Sequence, residues 1–157
     1  MVDLPLLDRA FGIVMQSFIE KGYAASHVEV AHALGLPIEE GRQLYRELVN
    51  GGYHSSWLED GTDYVVSFAP FNNLPTHYRI TVDGEHKWFG QCGFEALAIR
   101  WLFPGKLVRV DAPCLDCGEP IALEFRDEDL LLQDPPGMVG YTAAPVGDLR
   151  PEGHSWR

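Results

Sequence analysis

Apolar side chains recur along the chain in two different rhythms. Leu6, Leu7, Ala10, Phe11, Val14, Met15, Phe18 and Ile19 return every three or four residues, the spacing of one helical stripe, which predicts a first helix ending near Gly22. Ser26 is a candidate N-cap for a second helix over His27 to Leu34, with Glu29 at its third position as in a capping box. Gly35 can close that helix and Pro37 can open a third, Ile38 to Leu48, with Leu44, Tyr45 and Leu48 facing inward. After Gly51-Gly52 the rhythm changes to that of strands. Trp57-Leu58, a turn at Glu59-Asp60-Gly61-Thr62, and Tyr64 to Phe68 read as a hairpin.

Ala69 to Pro75 is rich in turn formers and reads as a joint. Strands are predicted at His77 to Val82, Lys87 to Phe89, Lys106 to Asp111, Ile121 to Phe125 and Met138 to Ala143, with one helix from Gly93 to Leu102. The polar tail from Pro145 reads as loose. The pattern predicts an α+β fold, in which a winged-helix-like module (1–68) precedes a small mixed or antiparallel sheet with a central helix (75–157).

Composition narrows the function classes. The 157 residues are 46% hydrophobic and 22% charged, an ordinary globular balance. The formal net charge of -11 opposes binding to phosphate backbones. The third helix, which in a DNA-binding winged helix enters the major groove, offers Arg42 and Arg46 but also Glu39, Glu40 and Glu47. No apolar run is long enough for a membrane span and no signal peptide is evident, so a cytoplasmic protein with no membrane or nucleic-acid partner is expected. An odd count of three cysteines argues against a disulfide framework. The six histidines are scattered, and neither a His-Glu-x-x-His pair nor a glycine-rich phosphate loop occurs.

Two segments carry candidate chemistry. Cys92 stands just before the predicted helix, where amide groups favour a thiolate, and Glu95 lies nearly one turn on. A thiolate beside a carboxyl can bind a soft metal and deliver a proton. The same spacing equally describes a small buried thiol and an exposed first-turn acid. Cys114-Leu115-Asp116-Cys117-Gly118 is half of a zinc knuckle by spacing. With no second Cys-x-x-Cys, it reads first as a turn between strands with its thiols buried or partly buried, and second as a metal site.

The stretch from Pro75 to Gly84, then Trp88-Phe89-Gly90-Gln91-Cys92-Gly93-Phe94-Glu95-Ala96-Leu97, Leu102 to Gly105, Pro113-Cys114 and Gly118-Glu119-Pro120 resembles the alkylmercury lyase family. The likeness runs over roughly residues 75–143, and Ala33-Leu34-Gly35-Leu36-Pro37 resembles the family's N-terminal region. The resemblance implies that Cys92 captures mercury, that Glu95 stands in for an acid that is usually Asp, and that the carbon–mercury bond breaks by protonolysis. The family's second catalytic cysteine belongs beyond residue 140, whereas no cysteine follows Cys117 here. Cys117 is therefore the candidate substitute, and Cys114, matching a structural cysteine, the lesser one.

The implied substrate is a small organomercurial or a soft metal ion. No cofactor is required, Hg, Cu or Zn are the candidate bound ions, and a mercuric reductase or other thiol acceptor is the implied partner. Three functions stay open: a lyase using Cys92, Glu95 and Cys117; a soft-metal binding or sensing protein using Cys92, Glu95, Cys114 and Cys117; and a structural or regulatory module without metal. The lyase reading predicts the Cys92 and Cys117 sulfurs within a few ångströms across a pocket, the binding protein predicts clustered sulfurs without an organic-substrate cavity, and the metal-free module predicts separated, buried cysteines.

Overall fold

A computed structural model describes residues 4–51 and 55–140. Three helices come first: α1 (Leu4–Lys21), α2 (His27–Leu34) and α3 (Ile38–Asn50). The capping box of α2 is formed in full: the Ser26 side chain accepts from the Glu29 amide and Glu29 accepts from the Ser26 amide. Gly35, with φ of 70°, closes the helix in the left-handed region. Gly41 lets α3 lie directly on α2, since an added Cβ there would stand 2.3 Å from the Ala31 Cβ.

Eight strands follow among the described residues: β1 (Ser56–Leu58), β2 (Val65–Phe68), β3 (Phe71–Asn72), β4 (Arg79–Val82), β5 (Glu85–Gly90), β6 (Leu107–Pro113), β7 (Pro120–Arg126) and β8 (Asp129–Asp134). They form one antiparallel sheet in the order β1-β2-β3-β5-β4-β6-β7-β8. Helix α4 (Gly93–Ala98) and a 3-10 turn (Ile99–Leu102) lie between β5 and β6. The protein is thus α+β, helices followed by an antiparallel sheet.

The turn-rich segment after Phe68 contains a strand. Phe71 and Asn72 pair with β2 on one side and with β5 on the other, so the sheet runs unbroken through it. The last strand among the described residues is Asp129–Asp134; of the strand expected over 138–143, residues 138–140 are irregular and 141–143 lie outside the described residues, as does the tail from Pro145. Pattern alone conceals β8 because it is an edge strand with Leu130 and Leu131 both exposed, so no alternation marks it. Its hairpin turns through Asp127, with φ of 52°, instead of a glycine.

Helix α1 is fastened to the middle of the sheet. Phe18 stacks on Phe71 with ring centroids 4.9 Å apart. The Trp88 indole donates to the Phe18 carbonyl at 2.7 Å, and the Lys87 ammonium donates to the Glu20 carbonyl at 2.9 Å. Ala10, Val14 and Phe18 of α1 share one buried cluster with Val65, Phe68, Ile80, Trp88, Ile99 and Val108. At the other end of the helical segment, Asp63 takes ion pairs from Arg42 and Arg46 of α3, and Arg42 also reaches Glu39. Both arginines of α3 are thereby engaged in holding the β1–β2 turn.

Candidate functional site

Strand β5 delivers the chain to Cys92 through a tightly tethered corner. The Gly90 amide donates to the Tyr78 carbonyl at 2.9 Å, and the Thr76 hydroxyl donates to the Gly90 carbonyl at 2.7 Å. The Gln91 amide donates to the Pro70 carbonyl at 3.1 Å. Cys92 itself is extended, with φ of -142°, and its carbonyl accepts from the Ala96 amide at 2.8 Å to start α4. The helix then folds straight back onto the strand. An added Cβ on Gly90 would stand 2.7 Å from the Ala96 Cβ, so only glycine permits that approach.

The corner brings Cys92, the residue before α4, and Glu95 on its first turn close enough for each to shift the pKa of the other. Glu95 is half-buried, and the loss of water raises its pKa above the usual carboxylate range, only partly offset by the Cys92 thiol and amide. A carboxyl in that state holds its proton more readily and is better suited to be an acid.

Cys92 departs from the expectation of a lowered pKa. Its value is raised, first by loss of water, with the Glu95 charge and hydrogen bond acting in the same direction. The Glu95 and Phe94 amides pull downward, as the helix-end argument requires, and are outweighed. The resting sulfur is therefore favoured as a thiol. It lies at an exposed position, so a ligand in solution can reach it.

Tyr78 is a further member of this corner. Its ring covers Gly93, whose added Cβ would lie 3.5 Å from the ring, and its pKa is raised by burial and then by the nearby Cys92. The sequence marks it as the aromatic residue after Pro75, but spacing alone does not reveal that β4 sets it beside β5's end.

Cys114 and Cys117 occupy the β6–β7 turn, as the spacing predicts. The Cys114 amide donates to the Glu119 carbonyl at 2.7 Å, and the Gly118 amide donates back to the Cys114 carbonyl at 2.9 Å. These bonds close the turn around the two cysteines, and each thiol shifts the pKa of the other. Amides of Cys117 and Asp116 hold the Cys114 pKa below the ordinary thiol value, and the Cys117 pKa is raised by its neighbour and by lost solvation, against the Glu119 amide. Cys114 is partly buried and Cys117 is exposed.

The side chains thus fall into two pairs, Cys92 with Glu95 and Cys114 with Cys117. No group of three or more His, Cys, Asp or Glu side chains able to hold a metal ion occurs among the described residues. The register still sets the two pairs at the same end of the sheet. Phe89, Arg79 and Asp111 lie in one row across β5, β4 and β6. Cys92 and Cys114 each follow that row by three residues, just beyond the ends of β5 and β6, which run the same way and stand roughly 10 Å apart across β4. Two surface clefts of about 390 Å³ are lined by other residues, one by Arg9, Ile13 and Leu34 and one by Arg46, Leu58 and Thr62. No helix among the described residues is long and apolar enough to cross a membrane.

Residues 71–150, just over half of the chain, match the alkylmercury lyase (MerB) family. The chain belongs to the alkylmercury lyase family. An alkylmercury lyase of Bacillus cereus is 26% identical over 124 residues, which cover 79% of this chain and 53% of that protein. An alkylmercury lyase of Clostridium butyricum matches at the same 26% over 124 residues. The chain therefore spans about half the length of the curated relatives it matches. The mercury-bound form of MerB2 shares the fold with a TM-score of 0.61 and 18% identity, over 85% of this chain and 65% of that one.

Proposed function

We propose that this protein breaks carbon–mercury bonds by protonolysis at the Cys92–Glu95 pair. The observation that carries the reading is an accessible Cys92 thiol at the start of α4 with the half-buried Glu95 carboxyl, its pKa raised by lost solvation, on the same turn. Family membership supplies the reaction class.

The chemistry balances with these two groups. The Cys92 thiol exchanges its proton for the organomercurial cation, giving Cys92–S–Hg–R. A raised thiol pKa is no obstacle, because a soft thiolate's affinity for mercury drives the exchange. Protonated Glu95 then gives its proton to the carbon. R–H leaves, and Hg(II) is held between the Cys92 sulfur and the Glu95 carboxylate. Two further thiols take the ion away and return both groups to their protonated forms. Cys117, or a thiol from solution, is the candidate for the second sulfur. The carboxyl of Glu95 replaces an aspartate one methylene shorter, and its reach to the carbon decides the rate.

The test is release of benzene from phenylmercury in excess monothiol, comparing the native chain with Cys92→Ser. Release that requires Cys92 supports the reading, and equal release from both proteins refutes it. A second reading, a soft-metal binding or sensing protein, is favoured by the pairing of Cys114 with Cys117. It predicts Hg(II) retention without benzene.

A further inference from the structure

The turn between β6 and β7 carries both Cys114 and Cys117. β6 and β7 stay in register up to Pro113 and Pro120, so the turn is anchored at both ends. Inside it, the Cys114–Glu119 and Cys114–Gly118 backbone bonds close a compact loop, and Gly118 supplies the positive φ, 78°, that the loop needs. That closure confines both cysteines to one short turn between the strand ends, where backbone amides favour charge on Cys114. Amides directed at sulfur stabilise charge there, as they do for a metal-bound thiolate.

We propose that Cys114 and Cys117 form a second, self-contained site for a two-coordinate soft cation, Hg(II) above all. The ligand count selects the ion. A structural zinc needs four donors, whereas the described residues around this turn add no third His, Cys, Asp or Glu to the two sulfurs. Mercury(II) is satisfied by two thiolates. Delivery requires no oxidant: Hg(SR)2 plus the two protein thiols gives the cyclic Cys114–S–Hg–S–Cys117 and two RSH. Forming the chelate frees two monothiols for one bound ion, so the turn outcompetes monothiols that a lone cysteine cannot. Its place at the same sheet end as Cys92 suits it to receive the ion that protonolysis would release. That use rests on the proposed function, but the site does not.

The experiment supplies Hg(II) as its complex with excess monothiol to full-length Cys92→Ser. Bound mercury per chain is read after gel filtration by elemental analysis and by thiolate-to-mercury ultraviolet absorption. The expected result is one Hg per chain, lost on adding Cys114→Ser or Cys117→Ser, with Zn(II) not retained under the same wash. Thermal unfolding of the two double variants, expected close to that of Cys92→Ser, shows that folding is not the cause. No retention by Cys92→Ser, or retention unaffected by losing either turn cysteine, overturns the proposal. Because Cys92 is absent throughout, this outcome is independent of whether the native chain releases benzene.

Discussion

Two thiol-bearing turns share one end of the sheet, and what stands beside the sulfur differs between them. At the β5–α4 corner a thiol meets a carboxyl, and lost solvation raises the pKa of both groups. In the β6–β7 turn a thiol meets a second thiol, and backbone amides draw Cys114 toward the thiolate. On the proposed function the first pair supplies a proton to carbon, and the second offers two soft donors for one ion. Nearly the same sequence spacing, Cys-x-x-Glu and Cys-x-x-Cys, thus suits one turn to the proposed proton transfer and the other to the proposed chelation.

The comparison is broken most severely at Cys92. Cys92→Ser is expected to bring benzene release from phenylmercury to the uncatalysed level while leaving mercury retention by the Cys114–Cys117 turn intact. Loss of both together would merge the two turns into one site.

Next in size is the Glu95 proton. Glu95→Gln is expected to slow cleavage by about 10²–10⁴-fold, the usual share of a general acid, with the Cys92 adduct still formed and visible by mass spectrometry. In the native chain, single-turnover cleavage is expected to fall as pH rises through the raised Glu95 pKa, because the acid form is then lost.

Gly90→Ala sharpens the role of the scaffold. Its Cβ would press on Ala96 at 2.7 Å. The expected cost is about 1–3 kcal/mol in denaturant unfolding, with cleavage falling more than mercury retention because only the Cys92 corner is displaced.

The smallest effect is expected far from both turns. The Arg46 hydrogen bond, ahead of charges on His27 and Arg42, holds the Asp63 carboxyl below its ordinary range. That contribution to stability is therefore complete above the unfolded carboxylate pKa and is lost as pH falls through the lowered folded value. Asp63→Asn is expected to lower stability by about 1 kcal/mol or less at neutral pH, to flatten the acid limb of the pH–stability curve, and to leave both thiol turns unchanged.

Much of the fold was legible in side-chain periodicity. The stripe on α1, the capping box at Ser26 and Glu29, and the alternation in β4 all report local geometry that neighbours enforce directly. Strand β8 was not legible, because an exposed edge imposes no alternation, and neither was the continuity of the sheet through Phe71 and Asn72, which pairing across distant residues creates. The Cys92–Glu95 contact could be read from helical spacing. The direction of the Cys92 pKa could not, since enclosure by the rest of the fold, not the helix end, decides it. Tyr78 escaped for the same reason: only the β4–β5 pairing brings it to the corner.

The central claim is that Glu95 passes its proton to the carbon of a mercurial held on Cys92. The most direct measurement loads the native chain and Glu95→Gln with one equivalent of phenylmercury and follows benzene formation in a single turnover across pH. The account predicts rapid release from the native chain, declining at high pH, and a phenylmercury adduct on Cys92 of Glu95→Gln that persists without release. Benzene release from Glu95→Gln at the native rate, with the same pH profile, would contradict it.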